Sequence, residues 1–220
     1  MSERPNTRRL FWIVLAGIVL YVLLDAIAQS LPPHYSPIRD AESDLAVGPY
    51  GYIMALNFLD RGILSLVFLY AILKTARATG GFSSHDSERR FWRGTVIFGV
   101  WAVGAILLAI FPTDVPATPM SWHGAIHLLV AALAFLGGTL GALMLSSQFG
   151  ENPALRGAKT ISFWIAALSL VLLVVGFGTL STRIGGLTER LFLGSVLLWV
   201  GYVSAYLARR SAPQAPVSNR

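Results

Sequence analysis

Long apolar stretches recur along this chain of 220 residues, and short polar connections separate them. A helix of about 20 apolar residues crosses roughly 30 Å of hydrocarbon. The composition agrees, because only 13% of the residues are charged, whereas an ordinary soluble domain carries about 25%. The sequence therefore predicts an all-α polytopic membrane protein, a six-transmembrane-helix bundle with spans at about 10–31, 51–74, 94–112, 121–147, 160–181 and 186–208.

Lys and Arg are divided unevenly between the two sets of connections. The chain has 17 of them, and of these only Arg39 and Arg183 fall in the first, third and fifth connections. The positive-inside rule then predicts cytoplasmic N and C termini, with residues 1–9 as one tail and 209–220 as a disordered second tail. This topology is that of a multi-pass protein of the cell inner membrane. No basic stripe with interleaved aromatic residues occurs, so nucleic acid is not an expected partner.

The first apolar segment has a second interpretation, as a cleaved secretory signal. Arg8 and Arg9 precede the apolar run, and Ala26 and Ala28 form a small-residue pair of the kind found at cleavage sites. However, Asp25 stands directly before that pair, and apolar residues resume after it. These features favour a retained transmembrane helix, and the later topology is the same in either case.

Ionisable residues gather toward one end of the apolar segments, in the predicted outer half of the bilayer. Each costs roughly 2.5–3.5 kcal/mol at the centre of a membrane helix, so a cluster of them indicates a site. We expect an outward-facing polar pocket, covered by the acidic connection 32–50. A structural alternative is a buried ion pair between Asp25 and Arg61. The candidate ligand-binding residues are Asp25, Arg61, Arg39, Glu189 and Arg190.

His123 and His127 are four residues apart, so they lie on one face of the fourth helix. Two histidines at this spacing are typical of zinc-binding helices, and Asp114 is a candidate third ligand of a divalent metal such as zinc. Gly124 stands where the metalloprotease motif has its glutamate. Hydrogen bonding of both histidines to loop carbonyls is the alternative. Haem is not expected, since two histidines on one face cannot hold opposite sides of one haem.

Three strings carry a resemblance to a known family: YSPIRDAESDLAVGPYG before the second helix, FPTD after the third and HGAIH in the fourth. Together they resemble the bacterial and archaeal six-helix family catalogued as domain of unknown function 998, over about residues 10–208. That resemblance implies the fold and a membrane location, and no chemistry. More loosely, the chain is similar to multi-pass hydrolases of the alkaline ceramidase type, which use Asp, Ser and His residues around zinc.

Three functions fit these observations, and whether the protein is an enzyme stays open. The first is binding of a lipid or small ligand in the outer pocket, or sensing or assembly at the membrane, with membrane lipids as partners. The second is a metal-assisted lipid or amide hydrolase that uses the His123/His127 pair, with Asp60 or Asp44 as the catalytic carboxylate. The third is a small proton-coupled transporter. The predicted inner half has almost no ionisable groups, which favours a one-sided cavity.

Overall fold

The structure is a computed structural model that describes residues 7–210. Within that range the chain is helical, without strands. The long helices are α1 Thr7–Ser30, α2 Gly51–Ala78, α3 His85–Ile110, α4 Trp122–Gln148, α5 Lys159–Thr179 and α6 Gly185–Arg210. Short 3-10 helices occur at Glu42–Ala46, Phe149–Glu151 and Arg156–Ala158.

The other helix boundaries lie within four residues of the predicted spans, but α3 begins nine residues before the predicted boundary of 94. Ser84 caps this helix by accepting a hydrogen bond from the Ser87 amide, and Asp86 and Glu88 occupy the first turn. Acidic residues there are stabilised by the helix dipole. Apolar content marks only the part of a helix that crosses the bilayer, so it misses this polar extension. The predicted tails fall mostly on residues 1–6 and 211–220, outside the described residues.

The six long helices of the described range form a ring in chain order. Each helix packs against its neighbours in the sequence, and α6 closes the ring on α1. The acidic end of the bundle is defined here as the end that carries the connections 31–50, 111–121 and 180–184. The opposite end, which carries the connections 79–84 and 149–158, is called the basic end. The orientation of these ends in a membrane stays a prediction.

Aromatic side chains fill the centre of the ring. Trp199 is fully buried, with its ring 5.3 Å from that of Phe68 and 5.2 Å from that of Phe98. Each of the two buried tryptophans has a hydroxyl partner, since Trp199 donates to Ser146 Oγ at 2.8 Å and Trp101 to Ser65 Oγ at 3.1 Å. Buried indoles need such acceptors. The tryptophans exposed near helix ends are Trp12, Trp92, Trp122 and Trp164.

The outer surface of the ring is apolar along most of its length. Large aliphatic side chains such as Val22, Val96 and Val174 are each more than half exposed. All six long helices are long and apolar enough to cross a bilayer. A soluble protein does not expose apolar surface on this scale, so this surface faces lipid.

Glycines allow α3 and α4 to approach closely. A Cβ at Gly141 would lie 2.5 Å from the Phe98 backbone nitrogen, and one at Gly137 would lie 2.8 Å from the Ile97 carbonyl oxygen. The Gly137–Gly141 spacing therefore serves helix packing, as the GxxxG pattern in the sequence indicates.

We predict that Gly141→Ala lowers the free energy of unfolding by about 1–3 kcal/mol, because its methyl group must push α3 away. Gly99→Ala is the matched control, since a Cβ at Gly99 meets nothing within 4 Å. That variant should be neutral or slightly stabilising. Thermal unfolding in a mild detergent, followed by size-exclusion chromatography, measures both. Equal behaviour of the two variants would contradict the proposed contact.

Candidate functional site

The connection 31–50 is bound to the first turns of α6. Nη1 of Arg190 donates to the carbonyl oxygens of Pro37 and Asp40, each at 3.1 Å. The same guanidinium contacts Tyr35, both through the phenol oxygen and over the ring, 5.4 Å from its centroid. The Leu187 amide donates to the Ile38 carbonyl at 2.9 Å. These bonds hold the connection across the acidic end as a lid, a name kept below for residues 31–50.

The lid backbone comes so close to α6 that only a glycine fits at position 186. A Cβ at Gly186 would lie 2.2 Å from the Asp40 carbonyl oxygen. Any larger residue would force the lid away from α6. Gly186 therefore lets the lid backbone lie directly on α6, whereas its neighbour Gly185 packs against the Thr179 and Leu180 carbonyl oxygens at the end of α5.

Glu42, in the 3-10 helix of the lid, points into the bundle and is 2% exposed. Its Oε1 accepts a hydrogen bond from the Tyr21 hydroxyl at 2.5 Å, and its backbone amide donates to Glu189 Oε2 at 3.0 Å. Its other carboxylate oxygen is buried without a partner. Burial raises the pKa of the Glu42 carboxyl, and the nearby positive charge of Arg61 opposes this rise.

Arg61 is the most unusual residue of the site. It is 1% exposed, and its guanidinium lies 4.7 Å from the Trp101 ring centroid and 5.2 Å from that of Phe58. Within residues 7–210 its side chain donates no hydrogen bond and makes no ion pair, and its Nε is buried without a partner. One turn earlier, Asn57 is fully buried and neither atom of its amide has a partner.

The structural alternative, an ion pair between Asp25 and Arg61, does not occur in residues 7–210. Asp25 accepts a hydrogen bond from Gln29 through one oxygen, while the other oxygen is buried and unpartnered. In the described part of the chain the only ion pair joins Arg39 to Asp40, at 2.8 Å. Since the Arg39 side chain is 58% exposed, it lies outside the buried cluster.

Neither predicted catalytic carboxylate, Asp44 or Asp60, forms an ion pair with Arg61 in residues 7–210. Asp44 accepts the Ala41 amide at 3.2 Å and so stabilises the turn of the lid. Asp60 faces α1, because one of its oxygens lies 3.5 Å from the position of a Cβ at Gly17. Its other oxygen is buried without a partner. Neither carboxylate is placed beside a histidine by any hydrogen bond in residues 7–210.

The two histidines have different environments. His123 is exposed and stacks on Trp122, with ring centroids 3.4 Å apart. His127 is buried, and its Nδ1 donates to the Phe111 carbonyl oxygen at 2.7 Å. For His127, but not for His123, this is the alternative in which a loop carbonyl oxygen accepts a hydrogen bond from the imidazole.

Asp114 caps α4. Its two oxygens accept hydrogen bonds from the hydroxyl and the amide of Ser121, at 2.5 and 2.8 Å. These bonds hold the pKa of Asp114 below its ordinary value. A Cβ at Gly124 would lie 1.9 Å from Asp114 Oδ2, so the glycine in HGAIH leaves room for the carboxylate. No group of three His, Asp or Glu residues in the described range is arranged to hold a metal ion.

The polar cluster of the acidic end thus combines predicted and unforeseen residues. Arg61, Asp25, Glu189 and Arg190 belong to it, as the sequence indicated. Tyr21, Tyr35, Glu42 and Asn57 were missed. Of these four, only Asn57 could have been predicted from the sequence, because it precedes Arg61 by four residues and so shares its helix face.

A six-helix bundle with apolar outer surfaces and polar residues buried at one end is a multi-pass helical membrane protein. The model of the family described as "Protein of unknown function (DUF998)" matches residues 15–206. The chain belongs to this family. No curated protein and no solved structure matches the chain.

We predict that the effects of Asp114→Ala and Gly124→Ala on stability are not additive. Gly124→Ala should lower the melting temperature of the wild type, because its methyl group displaces the capping carboxylate. In an Asp114→Ala background the same change should be neutral or stabilising, since alanine is the better helix former. A double-mutant cycle of melting temperatures measures this coupling. Additive effects would mean that Gly124 is needed for another reason.

Glu42→Gln should change how stability depends on pH. The pKa of Glu42 lies above 4.5 in the folded protein. Its contribution to stability is therefore complete below pH 4.5 and is lost as the pH rises through the folded pKa. The variant cannot ionise, so its advantage in melting temperature over the wild type should grow toward neutral pH. A constant difference across this range would contradict burial of the carboxyl.

Proposed function

We propose that the protein binds the anionic headgroup of a membrane amphiphile at Arg61, in the interior of the acidic end. The observation that carries this proposal is a buried guanidinium without a hydrogen bond or ion pair in residues 7–210. Phosphate and carboxylate oxygens are the natural partners of the planar guanidinium fork. The guanidinium lies over the rings of Phe58 and Trp101. Its N–H groups donate no hydrogen bond to any residue in 7–210 and could therefore bind a ligand.

Magnitudes favour a ligand over a purely structural role. Two cation–π contacts contribute roughly 0.5–2 kcal/mol each, whereas a buried charge without a partner costs several kcal/mol. The fold therefore loses free energy by keeping Arg61 in this place. A bound anion would offset that cost.

The neighbours of Arg61 support a headgroup that also carries a hydroxyl or an amine. Glu42 Oε2 and the amide of Asn57 are buried without partners. The positive charge of Arg61 lowers the pKa of Glu42, which indicates that the two side chains are close. A phosphodiester would pair with the guanidinium of Arg61. A hydroxyl or amine on its alcohol would donate hydrogen bonds to the unpartnered oxygens of Glu42 and Asn57.

The depth of the site favours an amphiphile from the bilayer. Arg61 lies ten residues after Gly51, the first residue of α2, so its Cα is about 15 Å along the helix from the acidic end. The charge bias of the connections supports an outward-facing acidic end and cytoplasmic termini. Under this orientation the ligand comes from the outer leaflet.

Neither of the other two functions has a comparable observation in its favour. A hydrolase that uses His123, His127 and Asp114 needs all three as ligands, and His123 is stacked on Trp122 while Asp114 caps α4. A transporter needs a polar path through the bundle. The interior beyond Arg61 is filled by aromatic rings, including Phe68, Phe98 and Trp199.

Arg61→Met tests the proposal, because methionine fills a similar space without the charge. We expect loss of bound phospholipid together with a higher melting temperature, since a charge without a partner is removed. Native mass spectrometry counts the phosphatidylglycerol and phosphatidylethanolamine molecules that stay with the purified protein. Diacylglycerol, which lacks the phosphate, is the lipid control.

Arg183→Met is the matched variant, because Arg183 is an exposed arginine of the connection 180–184. It should retain the lipids of the wild type. Unchanged lipid binding in Arg61→Met would contradict the proposal. So would a lower melting temperature with no change in bound lipid, since that result indicates a structural role.

A further inference from the structure

A second pocket lies between α4, α5 and α6, on the lipid-facing side of the ring near the acidic end. Its cavity volume is about 30 Å³, which is enough for a group of the size of an ammonium. Its walls are apolar apart from one carboxylate, and they include Phe135, Leu173, Gly176, Phe177, Phe192 and Glu189. The Phe177 side chain is 48% exposed, so the pocket opens toward the hydrocarbon.

Glu189 uses its two carboxylate oxygens differently. Oε2 accepts the Glu42 amide at 3.0 Å, which attaches the lid to α6. Oε1 accepts no hydrogen bond from any residue in 7–210. No ion pair to Glu189 occurs in that range either, because the guanidinium of the adjacent Arg190 is bound to lid carbonyls and to Tyr35. Glu189 therefore has one carboxylate oxygen without a hydrogen bond or an ion pair in residues 7–210.

Aromatic rings surround the space beside this carboxylate. The Phe135 and Phe192 rings are 4.9 Å apart and tilted, and both line the pocket with Phe177. Faces of aromatic rings attract cations, and a carboxylate adds a full opposite charge. An anion would be repelled by Glu189, and a neutral alkane would leave its oxygen without a partner.

We propose that this pocket binds the ammonium group of a cationic amphiphile, with its alkyl chain directed into the bilayer. The depth of the lining residues fits such a molecule. Glu189 lies four residues into α6, about 6 Å below the start of the helix, and so near the level of lipid headgroups. Leu173 lies six residues before the end of α5, about 9 Å from that end, where an alkyl chain would run.

Protection of Glu189 from dicyclohexylcarbodiimide tests this inference in the full-length protein in phosphatidylcholine nanodiscs. This apolar reagent adds to carboxyl groups accessible from the bilayer, and peptide mass spectrometry measures the modification at each residue. Dodecylammonium should reduce the labelling of Glu189 by on the order of tenfold. Asp60, which lies between α1 and α2 outside the pocket, serves as an internal control whose labelling should not change.

Two glycine variants separate binding in the pocket from indirect effects. Gly176→Leu should fill the pocket and abolish the labelling of Glu189, since the nearest atom to a Cβ there is the Thr188 carbonyl oxygen at 4.0 Å. Gly178→Leu is matched to it, because a Cβ at Gly178 meets nothing within 4 Å and Gly178 does not line the pocket. It should behave as the wild type. Equal labelling of Glu189 in the two variants would overturn the placement of the pocket.

Two other amphiphile controls decide the chemistry of the ligand. Dodecanol has the same chain without the charge, and equal protection by it would overturn a cation site. Butylammonium has the charge on a water-soluble molecule, and equal protection at the same concentration would overturn the amphiphile. The proposal as a whole would be overturned if Glu189 is never labelled, or if dodecylammonium does not protect it from labelling. The two proposals are read out separately, since native mass spectrometry measures the phospholipid bound to Arg61→Met and carbodiimide labelling measures occupation of this pocket, so either can fail while the other stands.

Discussion

The attachment of the lid to α6 determines the character of the acidic end. Arg190 and Glu189 are adjacent in the sequence, and together they bind three backbone groups of the lid at Pro37, Asp40 and Glu42. A connection of 20 residues is thereby held over the bundle by charge-assisted hydrogen bonds, which are about twice as strong as neutral ones. Glu42 enters the interior only because this attachment fixes the backbone on both sides of it.

The two ends of the bundle consequently differ in the kind of buried polar atom that lacks a hydrogen-bond partner. Toward the basic end the Asn152 amide donates to the Ala76 and Gly81 carbonyl oxygens at 3.0 and 2.7 Å, and the buried atoms of residues 7–210 that lack partners there are hydroxyls, of Thr139, Ser204 and Tyr206. Toward the acidic end, atoms of Asn57, Arg61 and Glu42 are buried without partners. Native proteins leave few such groups, and those that persist indicate strain, bound water or a ligand. The charged atoms among them lie toward the acidic end, which is why the candidate site is placed there.

The sequence predicted the architecture because the lengths of the apolar segments are set by the bilayer. It also indicated that Arg61, Glu189 and Arg190 share one end of the bundle, since the connections alternate between two sides. It could not predict their partners. Pairing Asp25 with Arg61 assumed that opposite charges at similar depth must meet, whereas α1 directs Asp25 to Gln29 and α2 directs Arg61 to aromatic rings.

The residues of the lid were harder still to assign from the sequence. Asp40, Glu42 and Asp44 are three acidic residues of one short segment, and only the tertiary structure distinguishes their roles. Asp40 is paired with Arg39, Asp44 caps a turn, and Glu42 is buried. The histidine pair was misleading for a related reason. Its spacing is that of a metal-binding helix, but the cap formed by Asp114 and Ser121 uses the ligand that a metal would need.

Glu42 is the element common to the two proposed sites. Its backbone amide is bound to Glu189, which lines the lipid-facing pocket, and its carboxyl interacts electrostatically with Arg61 without an ion pair in residues 7–210. A cation in the lipid-facing pocket would compete with the Glu42 amide for the Glu189 carboxylate, and a ligand at Arg61 that binds Glu42 would act on the same bond from the other side. If both proposals hold, the two sites would therefore be coupled, and such coupling is reciprocal.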